Sequence, residues 1–382
     1  MVFWQREFYR QQTSMAFGQT FELDLPKSGY LGSVGLAVHS SLVSGAVATA
    51  EKWRLIDYIS KIELIGDGAE VIKSFDGRQA LACNYYDDRV VPWGKWGNYL
   101  AASNRQAMVI NLGRYLHDID HYLDLSRFEQ VKLRITNDAT STQYSTDIKL
   151  DVTLHWLREP SGATKGYFRE EEWKLWNPAA DTWEYTDLPT ALKIRRILLR
   201  ARPGVDSADA KNNSSMGRLM HDIDFSLRTG VTRVYRGSLD NLGRMSMEEQ
   251  GFRPQTSGLI CRTAAYGFDV GLGYVTGFVS APASMGATPA TYPITLAQGD
   301  VQDGSQASIA YQADYPLHWR ADGYGYMYNL PLFDSQFRDD SDVLDPDVDK
   351  VVACNIQCQT GTTVSGTNHV AQNAIVLSRL VP

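Results

Sequence analysis

No uninterrupted apolar run in the 382 residues approaches the ~18–20 needed to cross a bilayer, which excludes a membrane-spanning helix. The opening Met1-Val2-Phe3-Trp4-Gln5-Arg6-Glu7 lacks the basic region and apolar stretch of a secretory signal. The expectation is a soluble protein made and kept, or assembled, in the cytoplasm. Cys83, Cys261, Cys354 and Cys358 are too few and too scattered for a disulfide framework. The last two, with Ile356 between them in an alternating run, read as small buried hydrophobes. Basic excess is missing too. A net charge of −7 argues against a surface that coats phosphate backbone, so no sequence-specific nucleic-acid partner is expected. There is no Gly-x-Ser-x-Gly elbow and no Gly-Lys-Ser/Thr phosphate loop. Gly271-x-Gly273 is followed by Gly277, one residue too late for a dinucleotide fingerprint.

What is present is globular: 43% hydrophobic and 21% charged residues, in a chain long enough for two domains. Aromatics at 11%, with 31 Gly and 14 Pro, suit an all-β protein with many turns. Asp24-Leu25-Pro26 recurs as Asp187-Leu188-Pro189, at an offset of 163 (187 − 24). Each tripeptide reads as a strand start, since a leading Pro removes a ladder donor before pairing begins. Val34, Leu36 and Val38 follow the first; Ile197, Leu199 and Ala201 follow the second at the same offset. Leu64 and Leu227 keep it (227 − 64), and the turns at Gly66 and Gly230 correspond. Further on, Leu123-Asp124, Val131 and Ile135 answer to Leu344-Asp345, Val352 and Ile356 at an offset of 221 (344 − 123), and Leu154 and Leu157 to Leu377 and Leu380 at 223 (377 − 154). The jump of about sixty marks an insertion in the second copy, placed at 271–310 and rich in Gly, Ala, Ser, Thr and Pro. Duplicated architecture decides a fold before any local pattern does.

The strand signals are period-two runs such as Val131–Ile135 and Ile148–Leu154, which need one buried face and one wet face. Asp76-Gly77 reads as a hairpin-type turn. Arg169–Trp176, ended by Asn177-Pro178, reads as a short helix. The division is then an N-terminal arm at 1–20, a first β unit at 21–158, a linker with a short helix at 159–186, and a second β unit at 187–382. In the arm, Trp4 and Phe8 would share a helix face beside Arg6 and Arg10. It packs on a neighbouring subunit or its own core, or meets a lipid headgroup layer. About eight strands in each unit point to sandwiches of two four-stranded sheets.

Candidate chemistry is sparse. Gly113–Asp120 and Gly217–Asp224 share His-Asp-Ile-Asp, a grouping suited to a divalent metal and an activated water. The copies are 104 apart (221 − 117), out of register with the duplication, and read as polar loop residues. The acidic stretch 339–349 fails as an EF-hand loop from Asp345, with Lys350 where Gly is needed and Ile356 where Glu is needed. Trp93, Trp96 and Tyr324, Tyr326 and Tyr328 are the residues a glycan-binding or glycan-active jelly roll would use for stacking. No spacing identifies paired carboxylates for hydrolysis. No catalytic residue, cofactor or metal ligand is therefore assigned.

Two tandem β units with Leu-Pro at each opening strand, the paired Gly66 and Gly230 turns, and the stretch from Asn111-Leu112-Gly113-Arg114 to Leu133-Arg134-Ile135 resemble the double jelly-roll major capsid proteins of tailless icosahedral viruses, the adenovirus–tectivirus lineage. The resemblance implies two eight-stranded jelly rolls standing upright in the shell, in a virion assembled in the host cytoplasm, bacteriophages included. It implies a homotrimer that acts as a pseudo-hexamer, bordered by neighbouring capsomers and minor capsid or vertex proteins. Phe3, Trp4, Arg6, Phe8, Tyr9 and Arg10 would form an inner-face or membrane-proximal contact, and the 271–310 loop would sit on the outer tip of the second jelly roll. A glycan-binding jelly roll is the alternative.

Overall fold

The computed structural model describes residues 1–41, 55–95, 103–141, 144, 147–179, 181–202, 219–248, 327–330, 343–347, 355–359 and 372–382, with the backbone of six strands between 255 and 322. The first unit uses β1 (Phe3–Met15), β2 (Thr20–Asp24), β3 (Tyr30–Ser41), β4 (Ile59–Gly66), β5 (Glu70–Phe75), β6 (Gly94–Lys95), β7 (Ser103–Asn111), β8 (Leu123–Asp124), β9 (Val131–Asn137) and β10 (Ile148–Arg158). One sheet runs β1-β10-β3-β7-β6, with β8 on β3; the facing strands run β2-β9-β4-β5. With β6 and β8 set aside, the chain visits the sheets as a jelly roll does. β10 shows why: Ile148, Leu150, Val152 and Leu154 are buried and Lys149, Asp151 and Thr153 are not.

The second unit uses β11 (Tyr167–Trp176), β12 (Trp183–Asp187), β13 (Lys193–Arg202), β14 (Asp222–Leu227) and β15 (Thr232–Gly237). Strands β16 (Gln255–Cys261), β17 (Phe268–Asp269), β18 (Tyr274–Val275), β19 (Ile294–Ala297), β20 (Asp300–Asp303) and β21 (Tyr315–Asp322) form two small sheets. They precede β22 (Met327–Leu330), β23 (Asn355–Gln359) and β24 (Gln372–Val381). The order β11-β24-β13-β22 repeats β1-β10-β3-β7, and β12-β23-β14-β15 repeats β2-β9-β4-β5. The duplication extends to detail. Leu31 pairs with Leu123 in the first unit, and Ile194 bridges Leu344 in the second, at the offsets 163 (194 − 31) and 221 (344 − 123).

Helices follow the fifth strand of each unit: α1 (Gly77–Asp88) and α2 (Leu239–Glu248). Asp76-Gly77 is therefore a helix start and not a hairpin turn. Asp76 accepts from the Gln79 N–H while the Gln79 side chain accepts from the Asp76 N–H, a capping box, and Arg89 closes the helix in the left-handed region. Three further expectations are corrected. Residues Tyr167–Trp176 form strand β11, not a linker helix, because both of its edges are paired. The arm at 1–20 is mostly β1, a strand paired along β10 from Phe3–Arg158 to Met15–Ile148. Asp-Leu-Pro ends a strand instead of opening one, since Asp24 and Asp187 are the last residues of β2 and β12. Leu25 and Leu188 are buried at the following corners.

The two units join where β5 and β11 pair in parallel, Lys73 beside Glu170 and Ser74 beside Glu171, making one eight-stranded sheet. Parallel pairing of the fifth strand of one unit with the first of the next sets the two jelly rolls side by side, pointing the same way. The described strand ends that flank residues 42–54, 203–218 and 249–326 lie at one end, and Met1, Tyr30, Tyr167 and Pro382 lie at the other. Most of 271–310 falls outside the described residues.

Candidate functional site at the seam between the jelly rolls

Polar side chains of unusual depth gather where the units meet. α1 is buried over its whole length except Asp88 and lies against the second unit, with the Tyr86 hydroxyl donating to the Met327 carbonyl at 2.7 Å. Leu198, Met327 and Val376 join the first core from this side, while Ile197, Leu199, Ile375 and Leu377 face the second core. Both faces of β13 and β24 are thus covered, which explains why their runs Ile197-Leu198-Leu199 and Ala374-Ile375-Val376-Leu377 do not alternate.

Within that contact, Lys73 of β5 donates to Glu170 of β11 at 2.9 Å, and Arg196 of β13 donates to the other Glu170 oxygen at 2.6 Å. Arg196 and Arg195 both donate to Asp87 of α1, at 2.7 and 2.9 Å, and Arg195 also donates to the Arg114 carbonyl at 2.5 Å. The side chains of all five charged residues are 3% exposed or less. Burial pushes the Glu170 carboxyl up, but Lys73 and Arg196 outweigh it and hold it down at about 2. Burial raises Asp87 against the pull of Arg196 and Arg195, and lifts the Cys83 thiol well above its usual range. Asp88, at the rim, is raised to about 6 by burial and by Asp87. The network couples four elements of two units, β5, α1, β11 and β13, and occupies its own charges. It offers no open group for substrate.

Beside it a cleft of about 250 Å³ is lined by Asp57, Arg78, Asp76, Gln79, Glu172 and Arg200 among others. These groups also satisfy one another: Arg78 pairs with Asp57, Gln79 donates to Glu172, and Arg200 pairs with Asp76 at 2.5 Å.

The first His-Asp-Ile-Asp segment lies in the connection between β7 and β8, and its work is structural. Asp118 accepts from the Arg114 side chain at 2.8 and 3.0 Å, from the Arg114 N–H at 3.0 Å, and lies 3.1 Å from His121 Nδ1. Burial would raise its carboxyl, yet His121 and Arg114 hold it well below the usual range. The β7–β8 connection also meets the start of the second unit, with Lys165 N–H donating to the Asp120 carbonyl at 2.9 Å just before β11 and Phe168 N–H of β11 donating to the Leu112 carbonyl at 2.8 Å. The second copy is not a loop as expected: Asp222, Ile223 and Asp224 open β14, with Ile223 buried in the core and Asp224 paired with Arg233 at 3.0 Å. Among the described residues no group of three or more His, Cys, Asp and Glu is placed to hold a metal. Of the acidic stretch, 343–347 is described: Asp345 pairs with Lys193 at 2.7 Å. Cys358 is buried in β23.

All six N-terminal candidates lie on β1. Trp4 and Tyr9 are half-buried, Trp4 5.0 Å from the His117 ring and Tyr9 donating to the Asp24 carbonyl at 2.9 Å. Phe3, Arg6, Phe8 and Arg10 are exposed. Of the stacking candidates, Trp93 is exposed beneath Arg105, but Tyr328 is buried in β22 and closed to a sugar. Trp96, Tyr324 and Tyr326 lie outside the described residues. The sequence reading missed the seam network. Its one signal was Lys-Ile-Arg-Arg at 193–196, charges inside an apolar strand.

Strand order, strand direction and the repeated helix define a double jelly roll. Three solved structures share it over nearly the whole chain. The STIV major capsid protein superposes with a TM-score of 0.60 at 11% identity, covering 100% of this chain and 97% of that one. A chain in the atomic structure of Sulfolobus Turreted Icosahedral Virus gives 0.60 at 12%, covering 99% and 91%. The major capsid protein of Bacteriophage PM2 gives 0.52 at 8%, covering 100% and 98%. At these identities the likeness is one of fold. No protein-family model and no curated protein matches the sequence.

Proposed function

We propose that the chain is a structural major capsid protein, not an enzyme, and that copies of it tile the shell of an icosahedral virus. The observation that carries this reading is the fusion of two upright jelly rolls through one shared sheet and a buried ion network. That construction gives a rigid block with two like units side by side, and its charged groups are used up holding the units together. The solved structures that share the fold end to end are major capsid proteins of their own viruses. The domain division follows the strand pairing: a first jelly roll from about residue 3, a crossing near 159–166, and a second jelly roll from about 167.

The protein's main partner is itself, as a homotrimer that presents six jelly rolls and meets neighbouring trimers in the virion. The end that carries both termini faces inward, towards minor capsid or vertex proteins or a lipid bilayer, and the insertion after α2 faces out. Assembly takes place in the host cytoplasm. Size-exclusion chromatography with light scattering tests the reading. A stable particle of about three times 42.7 kDa is expected, and a monomer that binds glycans would overturn it.

A further inference from the structure

The seam inside the chain joins a fifth strand to a first strand, and each chain carries one more of each with an open edge. Among the described strands β15 pairs with β14 alone and β1 with β10 alone. The correspondence is residue for residue. Pairing with β10 and β24 matches Phe3, Trp4, Arg6 and Glu7 to Tyr167, Phe168, Glu170 and Glu171, a constant offset of 164 (167 − 3; 171 − 7). The irregularity between Phe8 and Arg10 reappears between Glu172 and Lys174 at the same offset (174 − 10). On the other side, Leu64 pairs with Lys73 and Glu63 with Ser74, as Leu227 pairs with Thr232 and Ser226 with Arg233.

Equivalent positions differ sharply in burial. Tyr167 and Phe168 are each 1% exposed under the first unit, whereas Phe3 is 47% exposed and Trp4 half-buried. Lys73 and Glu170 are buried, but Thr232 and Arg6 are exposed. Phe8, at 67%, and Val231, at the entry to β15 and 81% exposed, add large apolar surface to the two edges. These are surfaces shaped like the two halves of an existing interface, each without its partner.

We infer that β15 of one copy docks along β1 of a second copy, reproducing between chains the β5–β11 seam within the chain. The inference rests on the capsid reading and specifies its inter-chain contact. Carrying the internal register across sets Arg233 beside Glu7, an opposite-charge pair in the place of Ser74 and Glu171, and Thr232 beside Arg6. Arg233 is half-exposed and pairs with Asp224 of β14, and Glu7 is exposed and accepts from Trp156 Nε1 of β10 at 2.8 Å, so each would turn from its own sheet to the pair across the seam. The contact is heterologous, and repeated with a rotation of one third of a turn it closes into a ring of three chains. The Lys73–Glu170 ion pair has no counterpart there, so the contact between chains is the more easily separated of the two.

The test is cysteine cross-linking of the full-length chain. The double variant Glu7→Cys/Arg233→Cys, treated with a short bismaleimide, is expected to give covalent trimer on a denaturing gel. Each single variant, which retains the four native cysteines, stays monomeric on that gel. If the double variant does not fold, Arg6→Cys/Thr232→Cys reports the same seam one position along. Wild-type trimers by light scattering, with no cross-linking in either double variant beyond the singles, overturn the seam and leave the capsid reading standing. A wild-type chain that is monomeric at all concentrations overturns both.

Discussion

At the scale of residues, the seam depends on charges that cannot be removed singly. Replacing Lys73 by Met leaves the Glu170 carboxylate buried with one partner fewer, and chemical denaturation should show a loss of about 3–5 kcal/mol. Lys73→Met with Glu170→Gln should recover part of that loss; a double variant no better than Lys73→Met would refute the coupling. The same carboxyl sets an acid limit. Because its folded value of about 2 lies below the ordinary 4.5, its stabilisation, about 3 kcal/mol, is complete above pH 4.5 and is lost as pH falls through about 2. His155, lowered to about 4 by burial first and then by Arg6 and His117, adds a loss as pH falls from 6.5 to 4. Asp88 has the opposite sign, gaining stability as pH falls through about 6. Glu170→Gln should flatten the pH–stability curve below 4.5, and Asp88→Asn should steepen the fall between 6.5 and 4. Little of this was legible in the sequence. Lys73, Asp87, Glu170 and the Arg195-Arg196 pair come from separate stretches of it, and only folding two units together shows that they share one buried volume.

At the scale of elements, legibility followed periodicity. β9 and the first half of β10 alternate cleanly because one face is wet, and they were readable from the sequence. β11 was misread because Arg169-Glu170-Glu171-Glu172-Trp173-Lys174 has the composition of a helix. Its strand state is imposed by pairing with β5 and β24. α1 was missed for a related reason: buried on nearly every side, it has no polar face to give a helical period. β1 was read as an arm because edge exposure leaves most of its residues polar. The correction changes what truncation should do. Removing residues 1–14 deletes the edge of the first jelly roll and its long pairing with β10, so the truncated chain should be insoluble or lose cooperative unfolding. A soluble, cooperatively folding truncation would contradict the place given to β1. Gly166, at φ +116° against the Val381 carbonyl, marks the crossing between units. Gly166→Ala should lower the midpoint of thermal unfolding measurably, since a side chain there meets backbone.

At the scale of the whole molecule, the duplication was the most legible feature, because a repeated offset survives where local signals are weak. Leu64 and Leu227, and Leu154 and Leu377, do occupy equivalent strands, and Leu344 makes an isolated bridge to Ile194 where Leu123 pairs with Leu31. The displaced His-Asp-Ile-Asp pair was read correctly as lying outside the repeat. What the repeat did not reveal is that the units share a sheet, so that a seam within the chain can serve as the pattern for a seam between chains. The most direct measurement of the central claim is electron microscopy of the purified full-length protein. Threefold particles of six lobes with a hexagonal outline are expected, each lobe one jelly roll. Isolated two-lobed monomers, or rings of any other symmetry, would contradict it.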